Sequence, residues 1–131
     1  MRALVIEDAE ELCELFAYEL KLSGFVAYRT TDGQEGLEMA RRLDPDAIVL
    51  DLILPTLSGF SVARSVRGLE RTRNSAIVAV SGLTSDALRM EAFSAGCDAF
   101  LRKPVACAAV VAQVRQALAR RASVTTVAPK P

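Results

Sequence analysis

The sequence predicts an α/β fold: a doubly wound five-stranded parallel sheet flanked by five helices. Three observations carry this. Five short apolar runs recur along the chain, a segment of helical periodicity follows each, and one carboxylate, Asp51, closes the central run "AIVL" (47–50). A run that is apolar at every position suits a strand covered by helices on both faces, as in a parallel sheet. Strand–helix alternation repeated five times needs crossover connections, and their right-handedness winds helices onto both sides.

The elements follow in order. "ALVI" (3–6) leads into "AEELCELFAYELKLSG", where Leu12, Leu15, Phe16 and Leu20 keep helical spacing and Gly24 supplies the stop. "FVAY" (25–28) is the second strand; Asp32–Gly33 then opens a helix through Leu37, Met39, Ala40 and Leu43, closed by "DPD". After "AIVL", Ser58–Gly59 opens a third helix through Phe60, Val62, Ala63 and Val66, fading in "RGLERTRNS". "AIVAV" (76–80) precedes a fourth, capped by Thr84 or Ser85, running through Leu88, Ala92 and Phe93 and stopped by Gly96. "AFL" (99–101) and a helix from about Cys107 to Arg121 complete the pattern. Residues 1–121 read as one domain and 122–131, "ASVTTVAPKP", as a frayed, disordered C-terminal tail. Arg41–Arg42 and Arg120–Arg121 fall late in helical patterns, where cations suit the dipole.

Composition narrows the function. The 131 residues suffice for one domain with a real core, and 51% hydrophobic against 24% charged content argues for a folded globule. A formal net charge of zero gives no field to attract nucleic acid or a membrane surface, so no direct contact with either is expected. Cys13, Cys97 and Cys107 fit no disulfide or zinc spacing, which suits a reducing cytoplasm. No apolar run approaches the roughly 18 residues of a membrane span. "MRALVIED" enters a strand at once, leaving no room for a signal peptide. There is no histidine. That excludes Ser-His-Asp and Cys-His catalysis, His-ligated metals and a phosphohistidine donor role.

The chemistry lies at the carboxyl ends of the runs: Glu7–Asp8 after the first, Asp51 after the third, Ser81–Gly82 after the fourth, Lys103–Pro104 after the fifth. In a parallel sheet all four share one edge, where ligands collect. Three carboxylates there repel one another unless a cation intervenes, and hard oxygen ligands at an open site suit Mg²⁺ with a phosphate. Lys103 and the Ser81 hydroxyl can grip phosphoryl oxygens, and a carboxylate such as Asp51 can act as a nucleophile to give an acyl phosphate. Each residue also has a plainer reading. Glu7 and Asp8 could cap the first helix, Asp51 could start a turn, Ser81 could end a strand, Lys103 could snorkel, and Phe100 could fill the core.

"VIED", "LDLILP", "SG" at 81–82 and "FLRKP" at 100–104, in this order on this scaffold, resemble the response-regulator receiver domains of two-component signalling. The likeness runs over about residues 2–121 and implies the chemotaxis-regulator-like, flavodoxin-like receiver fold. It implies Mg²⁺ held by Asp8, Asp51 and the backbone carbonyl of Ile53, with Glu7 acting through water. It makes Asp51 the acceptor of a phosphoryl group from a histidine kinase or histidine phosphotransfer protein. Lys103 then contacts the phosphate, Ser81 is the hydroxyl switch, Phe100 the aromatic that follows it, and Lys103–Pro104 a cis peptide. The chain would catalyse only its own phosphorylation and dephosphorylation, and would signal to a protein partner through its fourth helix, fifth strand and fifth helix.

Some positions depart from the family pattern. Ile53 and Leu83 are apolar beside the acceptor and the switch, which predicts slow loss of phosphate, while Gly82 for the commoner Ala opens space. "TLSG" stands where many members have Gly-Met-Asp-Gly. Ala109 and Gln113 occupy positions where the winged-helix transcription-factor subfamily usually has Glu and Arg. A single-domain regulator or relay intermediate is therefore expected; the alternative is the N-terminal receiver of a longer DNA-binding regulator. An Asp-nucleophile phosphatase of the haloacid-dehalogenase type needs a carboxylate at the position of Ile53. A flavodoxin-like electron carrier needs a Ser/Thr/Gly-rich loop where "EDAEEL" stands. A receiver-like scaffold that is never phosphorylated would not need the full acidic set.

Overall fold

In the computed structural model, which describes residues 1–83 and 85–126, strands and helices alternate throughout. The order is β1 (Arg2–Ile6), α1 (Glu10–Leu22), β2 (Val26–Thr30), α2 (Gly33–Leu43), β3 (Ala47–Leu50), α3 (Gly59–Gly68), β4 (Ala76–Ser81), α4 (Asp86–Ala95), β5 (Ala99–Arg102) and α5 (Cys107–Thr126). All neighbouring strands are parallel, in the order β2-β1-β3-β4-β5. The expected doubly wound sheet is therefore observed. Strand alternation divides the core in two. Ala3, Val5, Val49, Val78 and Val80 meet α1 and α5 on one face; Leu4, Ile6, Ile48, Leu50 and Ile77 meet α2, α3 and α4 on the other. Both sets are buried, which is why β1, β3 and β4 read as unbroken apolar runs.

The helices start and stop largely where side-chain chemistry allows. Asp32 accepts from Glu35 N–H at 2.8 Å to cap α2, Ser58 from Ser61 N–H at 3.2 Å to cap α3, and Ser85 from Leu88 N–H at 3.4 Å to cap α4. Thr84, the alternative cap for α4, lies outside the described residues. Gly24 and Gly96 take φ of +98° and +113°, the left-handed turn that ends α1 and α4. On α1 the buried stripe is Cys13, Phe16, Ala17 and Leu20, and Leu15 is 47% exposed, contrary to the expected pattern. The stripe is phased on Cys13, which leaves Leu15 on the far side of the helix. Phe93 is likewise half-exposed, under the Arg89 guanidinium at 5.2 Å from its ring centre.

α5 continues through Thr126, so residues 122–126 are helical and not tail; residues 127–131 lie outside the described set. No Gly or Pro interrupts the chain between Arg121 and Thr126, so nothing ends the helix where the apolar pattern fades. Arg120 and Arg121 are consequently not in its last turn. Arg121 instead grips Asp98 with two bonds of 2.9 and 2.8 Å, and Arg67 from α3 reaches the same carboxylate at 3.1 Å. Asp98 Oδ2 also accepts from Ile77 N–H at 2.8 Å, while Arg67 donates to the carbonyls of Gly96, Arg73 and Ser75 at 3.0, 2.8 and 2.6 Å. This hub ties α3, β4, the α4–β5 turn and α5 together at the amino-terminal edge of the sheet.

At the opposite edge, α3 begins hard against β3. Gly59 N–H donates to Leu52 C=O at 3.0 Å, and a Cβ on Gly59 would run into the Asp51 carbonyl oxygen. Gly59→Ala is therefore expected to push the segment after Asp51 aside and destabilise the fold by about 1–3 kcal/mol. Urea unfolding checks this, and an unchanged midpoint would show that the loop absorbs the methyl group freely.

Candidate functional site

β1 and β3 are neighbours, and β1 lies between β2 and β3, so the winding of the chain reverses direction here. A crevice opens at the carboxyl ends of strands at such a point. The backbone holds two carboxylates in it. Glu7 N–H donates to Thr30 C=O at 3.1 Å and Asp51 N–H to Ile6 C=O at 2.8 Å, so the ladder runs one residue past each strand and draws both residues inward. Glu7 is 1% and Asp51 5% exposed. Lys103, just past β5, answers them: its Nζ lies 2.7 Å from Glu7 Oε1 and 3.3 Å from Asp51 Oδ2.

The remaining atoms are divided unevenly. Glu7 Oε2 accepts from Ala9 N–H at 3.0 Å, and Asp51 Oδ1 from Ile53 N–H at 3.1 Å. Glu7 Oε1 is buried and faces the Lys103 ammonium at 2.7 Å. Burial pushes the Glu7 carboxyl above its ordinary range; Lys103 and the Ala9 amide draw it down, and Asp51 pushes it up again. Burial alone would lower the Lys103 ammonium, but Glu7 and Asp51 more than offset this and hold it above its ordinary value.

Ser81 closes β4 fully buried, its Oγ accepting from Leu83 N–H at 3.2 Å and its carbonyl from Lys103 N–H at 2.9 Å. Phe100 on β5 is half-buried and packs with Leu83 against the Leu50–Ile77 side of the core. Lys103–Pro104 is a cis peptide, as expected. Ile53, at 57% exposure, stands in water. Asp8 is exposed while Glu7 is buried, and the N-cap of α1 is Ala9 without a side-chain cap bond, so neither acid serves as that helix's cap.

The carboxylate cluster is therefore built on two buried members, Glu7 and Asp51, with the exposed Asp8 next to Glu7 in the chain. Among the described residues no three acidic, cysteine or histidine side chains are gathered into a ready cation cage. A small hard cation that keeps several waters needs only one or two carboxylates. The buried Glu7 and Asp51 carboxylates, with the exposed Asp8 next to Glu7 in the chain, are oxygen donors of that kind, so the residue types fit Mg²⁺.

The sequence profile of the response regulator receiver domain matches residues 3–115. The chain belongs to this family. It is a receiver domain of two-component signalling. It is 33% identical over 119 residues to the DNA-binding dual master transcriptional regulator RpaA of Synechocystis, covering 91% of this chain and 49% of that protein. It is 31% identical over 102 residues to the polar-differentiation response regulator DivK of Brucella ovis, covering 78% and 83% of the two chains. The chain spans about half the length of several curated relatives it matches, RpaA and the mycobacterial PrrA among them. The receiver domain of a sensor histidine kinase from Pseudomonas aeruginosa, described with magnesium in its active-site cleft, superposes with a TM-score of 0.81 at 26% identity, covering 90% and 97% of the chains. A receiver domain protein from Methanospirillum hungatei shares the fold with a TM-score of 0.87 at 20% identity, covering 94% and 97%.

Two receiver residues escaped the sequence reading. Gly59 was legible only as a helix start, although a Gly directly after a capping Ser is also the signal of close backbone approach. Asp32 was legible only as the opener of α2, yet it also accepts from the Thr56 hydroxyl in the loop after β3, at 3.0 Å.

Proposed function

We propose that this receiver accepts a phosphoryl group on Asp51 from a phosphohistidine of a partner protein. The observation that carries the reading is the buried Glu7–Asp51 pair on adjacent strand ends, bridged by Lys103. The donor imidazole must come from elsewhere, since the chain has no histidine. An Asp51 carboxylate oxygen attacks phosphorus, the phosphorus–nitrogen bond breaks, and its electron pair stays on the imidazole nitrogen, leaving an acyl phosphate. Lys103 is already within reach of Asp51 and follows the charge onto the phosphoryl oxygens. Asp8, Asp51 and the Ile53 carbonyl would hold Mg²⁺, with Glu7 acting through water, and the ion would supply positive charge against the developing acyl phosphate. The only chemistry catalysed is gain and loss of the chain's own phosphate, and Ile53, in place of a second carboxylate, disfavours a phosphatase. Incubation with acetyl phosphate and Mg²⁺ is expected to add one phosphoryl group to the parent and none to Asp51→Asn; equal labelling of the mutant overturns the assignment.

Output follows from the Ser81–Lys103 backbone bond. A phosphate at Asp51 draws the Ser81 hydroxyl away from Leu83 N–H, and Phe100 repacks with Leu83, reshaping the α4–β5–α5 face for a downstream protein. Ser81→Ala is expected to accept phosphate yet bind its partner with the same affinity in either state, measured by titration calorimetry. Phosphate-dependent binding as in the parent would remove Ser81 as the switch. We place the protein in the cytoplasm, with a histidine kinase or histidine phosphotransfer protein upstream and no direct nucleic-acid or membrane contact. No helix among the described residues is long and apolar enough to cross a membrane. It acts as a single-domain regulator or relay intermediate, in keeping with the match to DivK, which covers 83% of that protein. The half-length match to RpaA favours a second reading, the N-terminal receiver of a DNA-binding regulator, which the complete open reading frame decides.

A further inference from the structure

The loop between Asp51 and α3 contains an unusual turn. Leu57 N–H donates to Pro55 C=O at 2.8 Å across a single residue, Thr56, whose φ is +67°. This is the strained form of the γ-turn, with a β-branched residue where the left-handed region disfavours one. The Thr56 hydroxyl holds it there. It donates to Asp32 Oδ1 at 3.0 Å and accepts from Gln34 N–H at 3.1 Å. Asp32 is itself fixed by Glu35 N–H at 2.8 Å, and Gly33 N–H donates to Pro55 C=O at 3.1 Å. The loop lies so close on α2 that a Cβ on Gly33 would strike the Leu57 carbonyl oxygen. Three residues before Thr56, Ile53 N–H orients Asp51 Oδ1.

We propose that Thr56 and Asp32 form a latch that clamps the phosphoacceptor loop to the start of α2, so that Ile53 N–H holds the Asp51 carboxylate in its reactive orientation. Thr56 is a positioning residue acting through Ile53, and its strained backbone persists because the hydroxyl is needed on α2. Its effect on rate rests on the reading of Asp51 as phosphoacceptor; its effect on the loop does not.

The decisive variant is Thr56→Gly, which reaches the same φ without strain but has no hydroxyl. A merely structural residue would leave this variant as reactive as the parent, whatever its stability. The latch predicts faster amide exchange at Ile53 and Leu57 with core strands unaffected, and acetyl-phosphate labelling slowed roughly tenfold to a hundredfold. Thr56→Ser, which restores the hydroxyl, is expected to recover both readouts. Parent-like exchange at Ile53 in Thr56→Gly overturns the latch. So does faster exchange with an unchanged labelling rate. If the parent itself takes no label on Asp51, the phosphoacceptor reading and the rate claim fail together, and the exchange data alone decide whether the loop is clamped.

Discussion

Lys103→Met is expected to lose about 3–5 kcal/mol of stability at neutral pH, the usual consequence of removing one partner from a buried charge cluster. Glu7 and Asp51 would then face each other, 1% and 5% exposed, with no cation between them. The pH dependence has a definite sign. Burial already holds the Glu7 carboxyl above its ordinary value of 4.5, and Lys103 opposes that rise, so its removal raises the folded value further. A carboxyl raised in the folded state favours folding fully below its unfolded value and loses that contribution as pH climbs through the folded one. The variant therefore approaches parent stability below the ordinary value of 4.5 and falls away from it toward neutrality. Urea unfolding across this range measures the gap. A gap that does not change with pH would mean that Glu7 and Asp51 do not confront each other when Lys103 is gone.

Asp98→Ala is expected to destabilise by a similar amount, about 3–5 kcal/mol, at the other edge of the sheet. Asp98 is the one carboxylate that both Arg67 and Arg121 grip, and the side chains of Asp98 and Arg67 are each 18% exposed. Burial first, then the neighbouring Arg121, lowers the Arg67 guanidinium below its ordinary value, and Asp98 opposes both. Without it two guanidinium groups meet, and Ile77 N–H loses its acceptor. For a domain whose total stability is about 5–15 kcal/mol, that is a large fraction. Guanidinium unfolding of Asp98→Ala beside Arg67→Met/Asp98→Leu separates the causes: the double variant, which removes one charge of each sign, is expected to lose less. If both lose the same, the hub contributes packing and not charge balance.

These two clusters differ in how visible they were beforehand. The acidic site was legible because strand ends in a parallel sheet share an edge, so Glu7, Asp51, Ser81 and Lys103 are brought together by topology alone. The Asp98 hub was not, since nothing in the spacing of Arg67, Asp98 and Arg121 indicates that a turn, α3 and α5 converge. Within the site, adjacency hid a difference: Glu7 and Asp8 are chemically alike in sequence, but the ladder extension to Thr30 buries the first and turns the second outward. The left-handed φ of Thr56 was equally hidden, because a Thr in a loop carries no sign of the strain it bears. The phase of α1 was misjudged at Leu15 because four leucines in that segment permit more than one stripe, and packing against β1 and β2 selects the one through Cys13. The length of α5 exceeded expectation because an apolar pattern reports burial and not helix length, and Ala122 and Ser123 continue the helix while exposed.

The central claim is that a single carboxylate, Asp51, takes up the phosphoryl group. The most direct measurement is to label the protein with acetyl phosphate and Mg²⁺, reduce the acyl phosphate with borohydride, and map the resulting alcohol by peptide mass spectrometry. The claim predicts reduction at Asp51 and nowhere else. Reduction at Asp8 or Glu7, or a stable phosphoryl group that borohydride does not remove, would contradict it.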